Sequence, residues 1–276
     1  MTERAEAEAI LCAMGERPDA AIDLGEAALA LASLDRPRVP LDRYRAHLDE
    51  IAALVIARSG ADADSDTAVD ALNAIIPGEL GYSGDRDTYD DLQNANLIRV
   101  IDRRKGLPVA LGILYLRTAQ VLGWEASGLA FPGHFVIAIA HRQGRVVIDP
   151  FNQGRRCAAP ELRRLLKSTA GDAEELAPHH YAAVGNRAVL LRLQNNIKLR
   201  RLQQQDADGA LRALQGMLLF APGEIALWHE AGLLQVHLGQ VGAAIDSFDR
   251  ALALTEDPAL RHRLAVMIQE ARRRLN

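Results

Sequence analysis

The sequence predicts an α+β protein: a small antiparallel sheet flanked by helical stretches. Three observations predict it. Behind Gly106 and Pro108, apolar residues recur at helical spacing at Leu111, Leu114, Tyr115, Thr118 and Leu122. The period then changes. Ala126–Phe131, His134–Ala140 and Arg145–Asp149 are short, β-branched-rich runs broken by Pro-Gly and Gln-Gly, the pattern of strands and turns. From Asn186 to Asn276 the pattern is helical again and repeats itself with a period of about thirty-four residues.

Composition narrows the function classes. A chain of 276 residues can bury a sizeable core, as one large domain or two small ones. The net charge of −4 argues against a nucleic-acid binder working by bulk charge. Two cysteines, Cys12 and Cys157, imply no disulfide framework and fit a reducing cytoplasm. The opening M-T-E-R-A-E-A-E has acids where a signal peptide carries bases, and no apolar run is long enough for a bilayer. A cytoplasmic protein with no membrane partner is expected.

Taken in order, Ala5 to roughly Gly78 reads as all-helical. Asp23 is placed to cap a helix carrying Leu24, Ala27, Ala28, Leu31 and Leu34, which Pro37 and Pro40 break. Leu41–Ile56 is amphipathic, with Tyr44, Leu48, Ile51, Ala52 and Val55 on one side. Asp66 is the cap candidate for a third helix, Thr67–Ile76, stopped by Pro77-Gly78. An acidic and aromatic stretch, Asp87–Asp91, precedes a further helix over Asn94–Asp102. In the Pro108 helix the proline sits where its missing N–H would be unpaired anyway, and Gly123 is a C′ residue. His134 is expected to open the second strand and Asp149 to close the third. After Asp149 come a turn-rich exit, a short helix over Pro160–Leu166, and a polar loop from Ser168 to Pro178. The expected divisions are residues 1–86 as a helical N-terminal region, 87–178 as helix plus sheet, and 186–276 as repeats.

The repeat has tetratricopeptide spacing. Trp228, Gly232, Gly239, Ala244, Phe248 and Ala251 occupy its signature steps, and Pro258 closes it slightly late. One period earlier Ala210, Leu214, Met217 and Pro222 match, behind a poor first helix. About two units are visible, against the three a stacked array needs. Both a helical buttress and a peptide-binding groove are compatible with this.

Three stretches resemble a known family: G-L-P-V-A-L-G-I-L-Y-L from Gly106, L-A-F-P-G-H-F from Leu129, and I-D-P-F-N-Q-G-R from Ile148. They resemble the SirB-type family, which joins a transglutaminase-like domain to tetratricopeptide repeats. D-L-G-E-A-A-L-A-L-A from Asp23, Y-R-A-H-L-D-E-I-A from Tyr44 and A-G-L-L-Q-V-H-L-G from Ala231 are similar to its two ends, so the likeness covers nearly the whole chain. It implies a transglutaminase-like, papain-like cysteine proteinase core. In that core a nucleophilic Cys stands at a helix N-terminus, packed on a sheet that presents His and Asp. The superfamily usually reads G-x-C at that helix start. With Gly106 on the Gly, Pro108 falls at the Cys position, His134 at the His and Asp149 at the Asp.

A Cys–His–Asp site works because a thiolate at a helix N-terminus is stabilised by the dipole and an imidazolium, while the Asp fixes the imidazole tautomer. Pro108 removes both the sulfur and a backbone N–H that such sites use for an oxyanion. The expectation is a non-catalytic protein that has lost its nucleophile and acts in protein or peptide binding or regulation. The alternative is a hydrolase or acyl-transfer enzyme in which His134 and Asp149 act with Cys157 or water. A buried His134–Asp149 pair that pins two strands is the plain structural alternative. Tyr89, Asn94, Asn96, Gly133 and Asn152 are the candidate binding residues, with Gly133 supplying positive φ beside His134. Asn94 and Asn96 equally fit a capping role. No cofactor and no metal are expected. A metal set of His134 and Asp149 with His141, His179 or His180 lacks the close spacing of a metal motif. Arg103-Arg104-Lys105 reads as a solvated basic run, with contact to an anion or an acidic partner as the alternative.

Overall fold

The computed structural model describes residues 3–60, 63–140 and 144–275. Contacts divide the chain into two compact units. One holds the residues up to Ala7 together with Arg17–Leu193; the other holds Glu8–Glu16 and the chain from Gln194 onward.

Helix α1 (Glu3–Glu16) leads into α2 (Leu24–Leu34), which Asp23 caps as the sequence predicts: its side chain accepts from the Glu26 N–H at 3.0 Å. Helix α3 (Asp42–Ser59) buries Tyr44, Leu48, Ile51, Ala52 and Val55, the predicted stripe. Helix α4 (Ser65–Asn73) differs from expectation at both ends. Asp64, not Asp66, accepts from the Thr67 N–H, at 2.8 Å. Pro77-Gly78 does not stop it either. A π-helical turn over Ala74–Glu79 carries the chain through Pro77, with the Leu80 N–H reaching the Ile75 carbonyl at 2.9 Å. The wider turn relieves the clash a proline ring makes in an α-helix.

Strand β1 (Ser83–Gly84) pairs in parallel with β2 (Lys105–Gly106). Between them lies α5 (Leu97–Arg103), capped by Asn96, whose side chain accepts from the Arg99 N–H at 3.2 Å. Helix α6 (Pro108–Val121) starts at Pro108 as predicted, and Gly123 follows it at φ +76°. It is apolar nearly all round and buried on most sides, as a central helix must be.

The main sheet is antiparallel with strand order β6-β5-β4-β3-β7. Its strands are β3 (Glu125–Leu129), β4 (Ile137–Ala140), β5 (Arg145–Asp149), β6 (Arg155–Arg156) and β7 (Ala183–Val184). Ile137 pairs with Ile148 and Asp149 with Arg155. His134 does not open β4; it lies in the bend just before it. Helix α7 (Ala159–Ala170) outruns the predicted Pro160–Leu166 and takes in Ser168. Its Leu162 and Leu166 pack with Leu129, Phe131, Val136 and Ala138. Helix α6 packs on β3 and also on the Pro150–Asn152 turn that follows β5.

The remaining helices are α8 (Asn186–Gln203), α9 (Ala207–Phe220), α10 (Ile225–His237), α11 (Val241–Leu254) and α12 (Pro258–Leu275). From α9 onward each packs on the next. The repeat's first helix, read from sequence as poor, is the full-length α8, and Pro258 opens α12 rather than closing α11. Phe248, Ala244 and Ala251 sit in one core cluster, with the half-buried Trp228 packed against it. The signature positions thus do the packing their residue types suggest.

Candidate functional site around His134 and Asp149

The site grows from two turns and one helix start. Gly133 has φ +70°, and a Cβ there would lie 2.6 Å from the Thr169 Cβ, so both backbone and space call for glycine. That turn delivers His134. Asp149 closes β5 and caps the Pro150–Asn152 turn: Oδ1 accepts from the Phe151 N–H at 3.0 Å and the Asn152 N–H at 3.3 Å. The Asn152 amide donates to Oδ2 at 2.6 Å. His134 Nε2 approaches Asp149 Oδ1 to 2.9 Å, with the side chains 11% and 4% exposed. The ring N–H is nevertheless out of line, and Nε2 has no well-aligned hydrogen-bond acceptor. The pair is a close contact rather than a well-formed hydrogen bond. Burial pushes the Asp149 carboxyl up, but His134 and the Asn152 donors together hold it below the usual carboxylate range.

Aromatic and cationic groups surround the pair. The Phe151 ring stands edge-on to His134 at 6.1 Å and to Tyr89 at 5.7 Å. Gly84 on β1 seats that ring: a Cβ there would lie 2.5 Å from it. Arg86 lies over Phe151 at 5.7 Å and donates to the Asn152 side-chain oxygen. Arg192 on α8 donates to the His134 carbonyl at 2.6 Å and covers the Phe135 ring at 5.3 Å. Tyr115 on α6 donates to Asn73 Oδ1 at 3.1 Å, and Asn73 donates to the Gly154 carbonyl at 2.9 Å, pinning the turn after Asp149. Burial and the nearby Asp149 push the Tyr115 hydroxyl well up.

Of the predicted binding residues, Tyr89, Gly133 and Asn152 gather around the pair. Asn94 and Asn96 do not. Asn94 is buried, donates to the Thr88 carbonyl at 2.6 Å and accepts from Arg103 at 2.8 Å. Its own carbonyl receives the Leu107 N–H at 2.8 Å, which fixes the entry to α6. Asn96 caps α5 and donates to the Ala32 carbonyl at 3.1 Å. Pro108 is buried at the first position of α6, and Leu107 before it makes no side-chain cap.

Cys157 lines an open cleft of about 240 Å³ with Asp149, Asn152, Arg155 and Ser168. Its thiol points to the Arg155 carbonyl at 3.5 Å and packs against the β3–α7 core. Burial first, then the Asp149 charge, pushes it up to about 11, so it is protonated at neutral pH. His179 and His180 sit 4.0 Å apart in a turn, where His180 Nδ1 accepts from the Ala177 N–H at 3.1 Å; His141 lies outside the described residues. Among the described residues, no group of three or more His, Cys, Asp or Glu side chains is placed to hold a metal ion.

The basic run departs from the solvated reading at Arg103 and Arg104. Arg103 turns inward to the buried Asp85 at 2.8 Å, Arg104 stacks on Tyr82 at 4.6 Å, and Lys105 meets Asp87 at 3.2 Å. Arg103 and Arg104 are structural ties rather than a solvated face, whereas the Lys105–Asp87 pair stays exposed. Arg86, Phe151, Arg192, Asn73 and Tyr115 were not singled out as site residues by sequence reasoning. Phe151 lies inside the D-P-F-N motif and was within reach of it; Arg192 comes from a helix 58 positions away, with no local signal.

A central helix packed on a sheet flanked by the His134–Asp149 pair, with stacked helices beyond it in sequence, fits a transglutaminase-like core joined to tetratricopeptide repeats. Residues 42–195 match the transglutaminase-like superfamily and residues 197–269 the tetratricopeptide repeat. The chain belongs to the transglutaminase-like superfamily, and its relatives place it with the SirB-type proteins. It is 32% identical to a UPF0162 protein of Xylella fastidiosa strain Temecula1, over 67% of this chain and 66% of that one, just under two thirds of the relative's length. It is 32% identical to a UPF0162 protein of Vibrio cholerae over 74% of this chain and 76% of that protein. It is 26% identical to protein SirB1 of Salmonella typhimurium over 63% and 64% of the two. No helix of the described residues is long and apolar enough to cross a membrane.

Proposed function

We infer that this is a non-catalytic transglutaminase-like protein that binds a protein or peptide partner. The carrying observation is Pro108, buried at the first position of α6, where the superfamily's pattern places the nucleophile. A proline there offers neither a sulfur nor an amide proton, so two contributions to acyl transfer are missing at once. Cys157 is a poor substitute, because a thiol held near 11 is almost wholly protonated at neutral pH. The retained pair has a structural use, since Asp149 already collects three donors from its own turn. The tetratricopeptide match supports protein interaction as the function. Two cysteines without a disulfide, Cys12 and Cys157, fit a cytoplasmic setting.

The competing reading, water activated by His134, rests on the 2.9 Å approach to Asp149. Assaying the intact chain for amide and ester turnover separates the two. No turnover is expected; activity that falls in a His134→Ala variant would overturn the non-catalytic reading. Pro108→Cys tests the alignment itself. Its thiol should alkylate faster than a free cysteine at pH 6, and that advantage should vanish when His134→Ala is added. Equal rates with and without His134 would remove Pro108 from the nucleophile position.

A further inference from the structure

A second cluster of titratable groups lies away from His134 and joins three segments of the first unit. His47 on α3 has 12% of its side chain exposed. Its Nδ1 meets Glu50 Oε2 at 3.0 Å, and its Nε2 meets both the Tyr82 hydroxyl, at 2.9 Å, and the Arg104 guanidinium. A guanidinium can only donate, so Nε2 must be the acceptor and Nδ1 must carry the proton that Glu50 accepts. One neutral tautomer thus serves both Glu50 and Arg104, with the Tyr82 hydroxyl sharing the single Nε2 lone pair. Arg104 also donates to the Tyr82 hydroxyl and stacks over that ring at 4.6 Å.

Arg104 is a backbone junction as well. It ends α5 in the left-handed region, at φ 58° and ψ 22°, a conformation that costs a non-glycine residue roughly 1 kcal/mol or more and persists where side-chain contacts hold it. Its carbonyl accepts from the Ser83 N–H at 3.0 Å, and the next two residues form β2 against β1. Beside Ser83 is Gly84, the seat of the Phe151 ring; beyond β2 the chain enters α6 at Pro108. His47 is thus linked to the His134 surroundings through one arginine and one strand pair.

We propose that the His47–Tyr82–Arg104 cluster is an acid-sensitive latch. A proton taken from solvent onto His47 Nε2 replaces the acceptor with a second cation beside Arg104. Arg104 is expelled, and the β1–β2 pair that seats Phe151 loosens. No other bond changes in this step. The groups facing His47 are Glu50 from α3, Tyr82 from the segment before β1, and Arg104 from the end of α5. Arg43 and Tyr44 on α3 are drawn instead to Asp102 on α5, at 3.3 and 3.1 Å. Burial opposes protonation most, Glu50 favours it by less, and Arg104 opposes it, which holds His47 below its ordinary value. A group held below its unfolded value of about 6.5 contributes its full stability above that pH and loses it as pH falls through the folded-state value. The latch is closed at neutral pH and opens on acidification.

The test is a pH titration of the isotope-labelled full chain by NMR. The His47 ring should titrate below 6.5, and the Gly84 and Gly106 amides and the Phe151 ring should shift with the same midpoint. In His47→Gln those three signals should no longer move in that range. A His47 midpoint at or above 6.5, or the same three shifts in His47→Gln, would overturn the latch. If His47→Gln does not fold, Glu50→Gln decides: losing the carboxylate should lower the shared midpoint, and an unchanged midpoint rejects the proposal.

Discussion

Asp149 shows how fully one carboxylate can be engaged by its own turn. Its two oxygens take two backbone N–H groups and the Asn152 amide, and His134 approaches one of them without good alignment. Asn152→Ala removes the shortest of those donors, at 2.6 Å, while leaving the backbone contacts. The Asp149 carboxyl should then titrate at a higher pH, because burial would be less fully opposed; a carbon-detected titration of the carboxyl reads this directly. Both His134 and Asp149 were legible because each stands inside a motif of specific neighbours. Arg192 and Asn73 were not, because long-range partners leave no spacing to read: the Arg192–His134 and Asn73–Gly154 bonds span 58 and 81 positions.

At the scale of elements, the helices with a clean apolar stripe were the readable ones. The buried set of α3 is the set its spacing predicts, because a stripe repeated over about three turns leaves little ambiguity. The strands β6 and β7 were invisible for the opposite reason: two residues cannot display a period of two, and each exists because a longer neighbour offers an edge. Caps lie between these extremes. Asp64, Asp66 and Ser65 are all plausible caps by type, and geometry selects Asp64. Asp64→Ala should therefore lower the thermal midpoint more than Asp66→Ala, which deletes an exposed pairing with Arg156 at 3.3 Å. Equal losses from the two would reassign the cap.

Across the whole molecule, charge acts through a few internal carboxylates rather than through its net value. Burial pushes Asp85 up, but Thr88 and Arg103 overcome it and hold it far below the ordinary range; Asp149 is shifted the same way. Carboxylates with depressed folded-state values stabilise the fold fully above their unfolded value of about 3.9, and that contribution disappears as pH drops through the folded values. Acid unfolding followed by circular dichroism should start later in an Asp85→Asn, Asp149→Asn double variant relative to its own neutral-pH stability, because fewer protons are taken up. The presence of a sheet and of repeats was legible at this scale, since each has its own sequence period. The inward turn of Arg103 to the buried Asp85 and of Arg104 to Tyr82 was not, because a run of bases reads alike whatever its partners are.

The π turn at Ala74–Glu79 has a kinetic consequence. A proline carries no amide proton, and a widened ring of backbone atoms around it holds its neighbours less evenly than the α-helix before it. Deuterium from heavy water should enter at Gly78 and Glu79 well before it reaches Val69 and Leu72, which are buried in α4. That seam lies one short step in sequence from Asn73, the residue that tethers the loop behind Asp149, so exchange there would report how firmly the tether is held.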